Sequence, residues 1–170
     1  MKQSTKLPYR LTNDYLFRAV FQDRPKALEG LCRAVLGLKE TDKVSVNLRN
    51  PIELGKAIDK KDFILDLAVL VNNSLFLNLE MQMYYDRFWT DRSLSYACRS
   101  FDNINKGEEY NTVLPVVQVG FLSYDLFPEY PEFCANYKIT NVSLKESPYI
   151  FSDKLRICVV NLSRINIATE

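Results

Sequence analysis

Two apolar stretches separated by three turn-forming residues constrain this chain most, because each carries a carboxylate where one is expensive. Phe63–Val71 and Leu75–Met83 are rich in large and β-branched residues, and Asn72-Asn73-Ser74 lies between them. That pattern predicts a β-hairpin. Asp66 sits inside the first stretch, and Glu80 and Gln82 inside the second. A carboxylate buried in such a strand must be paired, hydrogen-bonded or bound to a cation.

Register decides whether the two acids meet. Directly opposed residues of an antiparallel hairpin share a constant number sum and point to the same side. A three-residue loop sets that sum at 146 and opposes Asp66 to Glu80, with Cβ atoms about 4.5–5.5 Å apart. A two-residue loop gives 145 and sends Asp66 to the other face. The even sum also turns Leu65, Leu67, Val69, Leu77, Leu79 and Met81 together toward a core, which favours it on packing grounds. Gln82, two residues after Glu80, projects from the same face.

Two carboxylates with a nearby amide or carbonyl are hard oxygen ligands suited to Mg²⁺ or Mn²⁺. A metal held there polarises a phosphoryl oxygen and acidifies its water, which supports hydrolysis. The alternative from the pattern alone is a structural pair bridged by a lysine or arginine. The chain contains no histidine, which excludes Ser-His-Asp and Cys-His nucleophile systems and histidine-ligated zinc. A glycosidase pair would need an open sugar cleft, which a buried hairpin does not offer.

The rest of the chain supplies layers around the hairpin. Asn13 caps a helix beginning at Asp14 with Leu16, Phe17, Val20 and Phe21 at helical spacing. Pro25 opens a second helix with the stripe Leu28, Leu31, Cys32, Val35, and Gly37 stops it. Val44, Val46 and Leu48 alternate as a strand; Asn50-Pro51 and Gly55 mark a loop. From Tyr84 to Ile104 there is neither Gly nor Pro, which predicts a helix of about five turns with Leu94, Ala97, Phe101 and Ile104 on one face. Pro115–Leu122 reads as a strand buried on both faces, with further strands at Tyr137–Leu144 and Leu155–Leu162. This order predicts an α/β (α+β) domain, a mixed β-sheet flanked by helices, within the 170 residues.

Charge is nearly balanced, at +1. Residues 1–36 carry seven basic side chains against three acidic ones, which allows phosphate contact without requiring it. The four cysteines, Cys32, Cys98, Cys134 and Cys158, are widely spaced, so they read as reduced thiols of a cytoplasmic protein. The N-terminus leads into no apolar signal core, and the run Val113–Leu122 is too short and too polar at Gln118 to cross a bilayer.

Several blocks resemble the PD-(D/E)XK nuclease family transposases, also called the Rpn family of recombination-promoting nucleases. They are Thr12-Asn13-Asp14-Tyr15-Leu16-Phe17, Asp59-Lys60-Lys61-Asp62-Phe63-Ile64-Leu65-Asp66-Leu67 and Asn78-Leu79-Glu80-Met81-Gln82. Arg92-Ser93-Leu94-Ser95-Tyr96, Pro115-Val116-Val117-Gln118-Val119 and Ser152-Asp153-Lys154-Leu155 continue in order. The resemblance implies a restriction-endonuclease-like core and a metal-dependent DNA endonuclease active in transposition, recombination or defence against foreign DNA. It also implies that residues 1–170 are one nuclease-like domain, the N-terminal part of a longer architecture, with a homodimer as an open alternative.

Carried over by position, Asp66 and Glu80 are the metal ligands and catalytic acids, with Mg²⁺ or Mn²⁺ as cofactor. Gln82 stands where the wider superfamily usually has lysine. An ammonium stabilises phosphorane charge and helps ionise water, whereas an amide only orients it. A slow enzyme, or a nuclease fold kept for DNA binding or protein association, is therefore the alternative. Asp14 is either an accessory group in the metal's outer shell or a helix N-terminal charge. Arg92, Tyr96 and Arg99 follow i, i+4, i+7 and either track DNA phosphates or form a solvated, salt-bridged face with Asp91 and Asp102. Phe88 and Trp89 read as core or subunit interface rather than as a platform for bases, and Lys60-Lys61 as a solvated strand entry.

Overall fold

The computed structural model describes residues 10–53, 63–102, 104, 106–143, 146 and 148–168. Helix α1 (Asp14–Asp23) begins at Asn13, whose side chain accepts the Leu16 amide, and α2 (Pro25–Leu36) ends at Gly37 with φ 66°. Strands β1 (Val46–Arg49), β2 (Ile52–Glu53), β3 (Phe63–Ile64), β4 (Leu67–Val71) and β5 (Leu75–Gln82) precede α3 (Trp89–Phe101). After α3 come β6 (Val116–Leu122), β7 (Cys134–Thr140) and β8 (Ile150–Asn161). Six strands form one sheet in the order β1-β4-β5-β6-β8-β7, and β2 pairs only with β3. The pairs β1–β4, β4–β5 and β7–β8 are antiparallel, while β5–β6 and β6–β8 are parallel.

The α/β expectation therefore holds, with helices on both faces. Phe17, Leu28 and Cys32 of α1 and α2 pack on Leu67, Val69, Leu77, Leu79 and Met81, joined by Val117, Val119 and Phe121 of β6. Helix α3 covers the opposite face. Its Trp89 is 1% exposed and lies directly over Gly120, where a Cβ would come within 2.1 Å of the indole Cζ2. Only glycine at 120 admits the ring.

Helix α3 differs from its prediction in length and in rotation. It spans 13 residues, because residues 84–88 form a turn-rich connection before Trp89. Its buried face is Trp89, Ser93, Ala97 and Ser100, while Leu94 is 48% exposed. Helical spacing located an apolar stripe, but the facing sheet carries polar side chains that small serines fit better. Asn78 Nδ2 donates to Ser100 Oγ at 2.9 Å in that interface.

The strand over Pro115–Leu122 is buried at every residue of β6. Of the other late strands, β7 starts earlier than expected, at Cys134, and ends at Thr140 after seven residues, while β8 is longer and runs through 12 residues; Leu144 lies outside the described residues, as do Gly55 and Lys60-Lys61. All four cysteines are free, although Cys134 Sγ and Cys158 Sγ are 3.5 Å apart. Among the described residues no helix is long and apolar enough to cross a membrane.

Candidate active site

The hairpin has the even register. Leu67 faces Leu79, Ala68 faces Asn78 and Val69 faces Leu77, each pair summing to 146. Asn72 and Asn73 adopt φ of 50° and 52° in the connecting turn, which asparagine tolerates better than most residues. The expected strand Phe63–Val71 is broken: Phe63 and Ile64 pair with β2, and Asp66 lies in a bend one residue before the β4–β5 pairing begins at Leu67↔Leu79, where its Oδ2 accepts the Met81 amide at 2.7 Å. The amide anchors Asp66 beside β5.

The parallel partner strand completes the polar row. Asn78 opposes Gln118 and Glu80 opposes Gly120. Gln118 is fully buried; its Nε2 donates to Glu80 Oε2 at 3.4 Å, and its Oε1 has no hydrogen-bond partner. Such a side chain in an otherwise apolar strand carries the same signal that singled out Asp66 and Glu80. In the sequence it stood as a polar break in an apolar run and as one residue of a family-like block, not as a site residue.

Arg92 of α3 closes the site. One terminal nitrogen, Nη2, lies 2.7 Å from Glu80 Oε1 and donates to Gln82 Oε1 at 2.7 Å. The other, Nη1, donates to Asp86 Oδ2 at 2.8 Å. Gln82 Nε2 in turn donates to the Tyr84 carbonyl at 2.8 Å. Arg92 is thus turned inward onto the carboxylates, where it forms ion pairs with Glu80 and Asp86. The Asp86–Arg92 spacing matches no helical interval, so sequence periodicity carried no sign of it. A second guanidinium, Arg18 of α1, approaches with its buried Nε 3.8 Å from Asp66 Oδ1, an ion pair too long for a hydrogen bond, and that Nε has no hydrogen-bond partner among the described residues.

These surroundings set the electrostatics. Burial raises the Asp66 carboxyl above its usual range; the Met81 amide and Arg18 pull it back, and Asp14 pushes it further up. Burial likewise raises Glu80, against the opposing pull of Arg92, and the Asp66 charge adds to the rise. The two acids therefore sense each other, as a shared site requires. Tyr96, one turn beyond Arg92, is half-buried and raised by burial and by Glu80 while hydrogen-bonded to the Ile64 backbone. Arg99 lies a further turn along, roughly 10 Å down the helix axis from Arg92. Asp14 is exposed in the first turn of α1 and accepts the Tyr15 amide.

The donor set was tested for a divalent ion. Asp66 and Glu80 offer carboxylate oxygens, and Gln118 Oε1 is a buried amide oxygen without a hydrogen-bond partner among the described residues. Hard oxygens with one orphaned acceptor suit a hard cation. Among the described residues no three acidic or cysteine side chains converge, so a bound ion would draw its remaining ligands from amide or backbone oxygens and water.

Comparison with protein families finds a match over residues 11–170 to the model described as PD-(D/E)XK nuclease family transposase. Searches of curated proteins and of solved structures gave no match.

Proposed function

The chain belongs to the PD-(D/E)XK nuclease family transposases, and from that membership we propose that it hydrolyses phosphodiester bonds of DNA with a divalent metal ion at Asp66 and Glu80. The family accounts for the mixed sheet flanked by helices as a restriction-endonuclease-like fold. The observation that supports the reading is the hydrogen bond from the Met81 amide to Asp66 Oδ2, which holds Asp66 against the strand that carries Glu80. Structural burial alone gives no reason to gather two acids and an orphaned amide oxygen in one place.

Asp66 and Glu80 would hold the ion, Mg²⁺ or Mn²⁺, with Gln118 Oε1 available beside them. When bound, such an ion supplies Lewis acidity toward a phosphoryl oxygen and acidifies water. The chain's own side chains do the remaining work. Gln82 hydrogen-bonds and orients the attacking water but takes no proton from it. Arg92, held by Asp86, keeps a positive charge beside Glu80 and Gln82. It supplies the cation that an amide at position 82 lacks, from a helix rather than from the strand.

One observation favours a second reading, a nuclease fold retained for binding. Arg92 already neutralises Glu80 at 2.7 Å, as a purely structural ion pair would. Calorimetric titration with Mn²⁺ and cleavage of supercoiled plasmid DNA separate the two. The nuclease reading expects binding heat and nicking in the wild type, both lost in Asp66→Ala and Glu80→Ala variants that still melt cooperatively. Equal nicking by all three proteins, or no metal heat in any, would sink it.

A further inference from the structure

Resting on the nuclease reading, we propose that the loop joining β5 to α3, residues 83–88, is a stacking platform for unpaired nucleobases. The strand presented to Asp66 and Glu80 is then single-stranded or locally unpaired. Three aromatic rings of this loop face solvent: Tyr84 is 79% exposed, Tyr85 68% and Phe88 55%. Apolar surface of that kind costs free energy in water and is recovered when covered.

The loop is fixed rather than loose. Gln82 Nε2 holds the Tyr84 carbonyl at 2.8 Å, and Asp86 is gripped by Arg92 through Oδ2 at 2.8 Å. The other Asp86 oxygen accepts the Phe88 amide at 2.9 Å, and its carbonyl accepts the Trp89 amide at 3.1 Å. The Tyr85 ring meets Tyr124 edge-on at 5.3 Å. With the loop backbone held and the Tyr85 ring seated against Tyr124, part of the freedom that binding would remove is already lost.

Two observations point to a nucleic-acid strand as the occupant. Arg92, which grips Asp86 of the loop and donates to Gln82, also pairs with Glu80, so one side chain ties the loop to the carboxylate. A strand with a phosphate at the carboxylates would lie close to this loop. The Arg87 guanidinium lies 4.4 Å from the Phe88 ring centre, which places a cation for the next phosphate among stacking surfaces. In a duplex each base is covered above and below by its neighbours, so exposed rings gain contact only with unpaired bases.

The test is anisotropy titration of labelled oligothymidylate, of the same strand with abasic residues, and of a duplex, all in EDTA so that nothing is cut. Proteins compared are the wild type and the Tyr84→Ala/Phe88→Ala double variant; neither ring supports the core. The wild type should bind the single strand at least about tenfold more tightly than the duplex or the abasic strand. The double variant should lose that preference while melting normally. Equal affinity for all three ligands would overturn the platform. So would sedimentation showing that these rings join two copies of the chain, with dimer and not DNA affinity lost in the variant. Absent cleavage with the single-strand preference intact would remove the nuclease reading and leave base stacking standing. Cleavage without the preference would do the reverse.

Discussion

Replacing Arg92 by methionine keeps most of the side-chain volume and removes the charge from the middle of the site. Glu80 loses its 2.7 Å partner and Asp86 its 2.8 Å partner. Leaving one member of a buried ion pair uncompensated costs about 3–5 kcal/mol. Arg92 is 27% exposed, and water will screen part of the orphaned charge, so about 2–3 kcal/mol is expected here. For a chain of this size that lowers Tm by roughly 4–12 °C.

The pH dependence distinguishes this cause from lost packing. Burial holds the folded Glu80 carboxyl above its ordinary 4.5. Between 4.5 and the folded pKa, the folded chain keeps a proton that the unfolded chain has released. Stability therefore falls as pH rises through that interval and levels off above it. Arg92 is the largest influence opposing the rise, so Arg92→Met pushes the folded pKa higher. The fall becomes deeper and extends to higher pH. Thermal melts in EDTA from acidic to neutral pH should show variant and wild type converging at the acid end and separating toward neutrality. Equal Tm values at neutral pH, or a deficit constant across the range, would refute the argument.

Gly120→Ala places a methyl 2.1 Å from Trp89 Cζ2, an overpacking cost of about 1–3 kcal/mol. Because Trp89 is the chain's one tryptophan, urea unfolding followed by its emission should show both a lower midpoint and an altered native spectrum. An unchanged midpoint and spectrum would contradict the packing. Gln118→Met removes a buried oxygen that has no hydrogen-bond partner among the described residues but also the long 3.4 Å donation to Glu80 Oε2; the two effects oppose, so stability should change by no more than about 1 kcal/mol. Mn²⁺ affinity in the same variant should fall; a large loss of stability would show that the amide is a structural element instead.

Much of the hairpin was legible because its information is local. Strand parity follows from a period of two, and three turn residues between two apolar runs fix which residues oppose one another. Asp66 and Glu80 could thus be brought together on paper, and Leu67↔Leu79 and Val69↔Leu77 bear out that register. The stop of α2 at Gly37 was equally local, since glycine readily supplies the left-handed φ of 66°. The rotation of α3 was not. Leu94 and Ala97 share a helical stripe, but the side buried is the one bearing Trp89, Ser93, Ala97 and Ser100.

The sequence by itself determined the hairpin and favoured its even register, because both depend on residues close along the chain. Tertiary structure decided what surrounds them. The fit of Trp89 over Gly120 accompanies the α3 rotation that turns Arg92 onto Glu80, and parallel pairing of β5 with β6 brings Gln118 to the same carboxylate. Periodicity tells which side of an element is apolar. Which strand lies alongside, and how a helix is turned about its own axis, follow only from how surfaces distant in sequence fill one another's space.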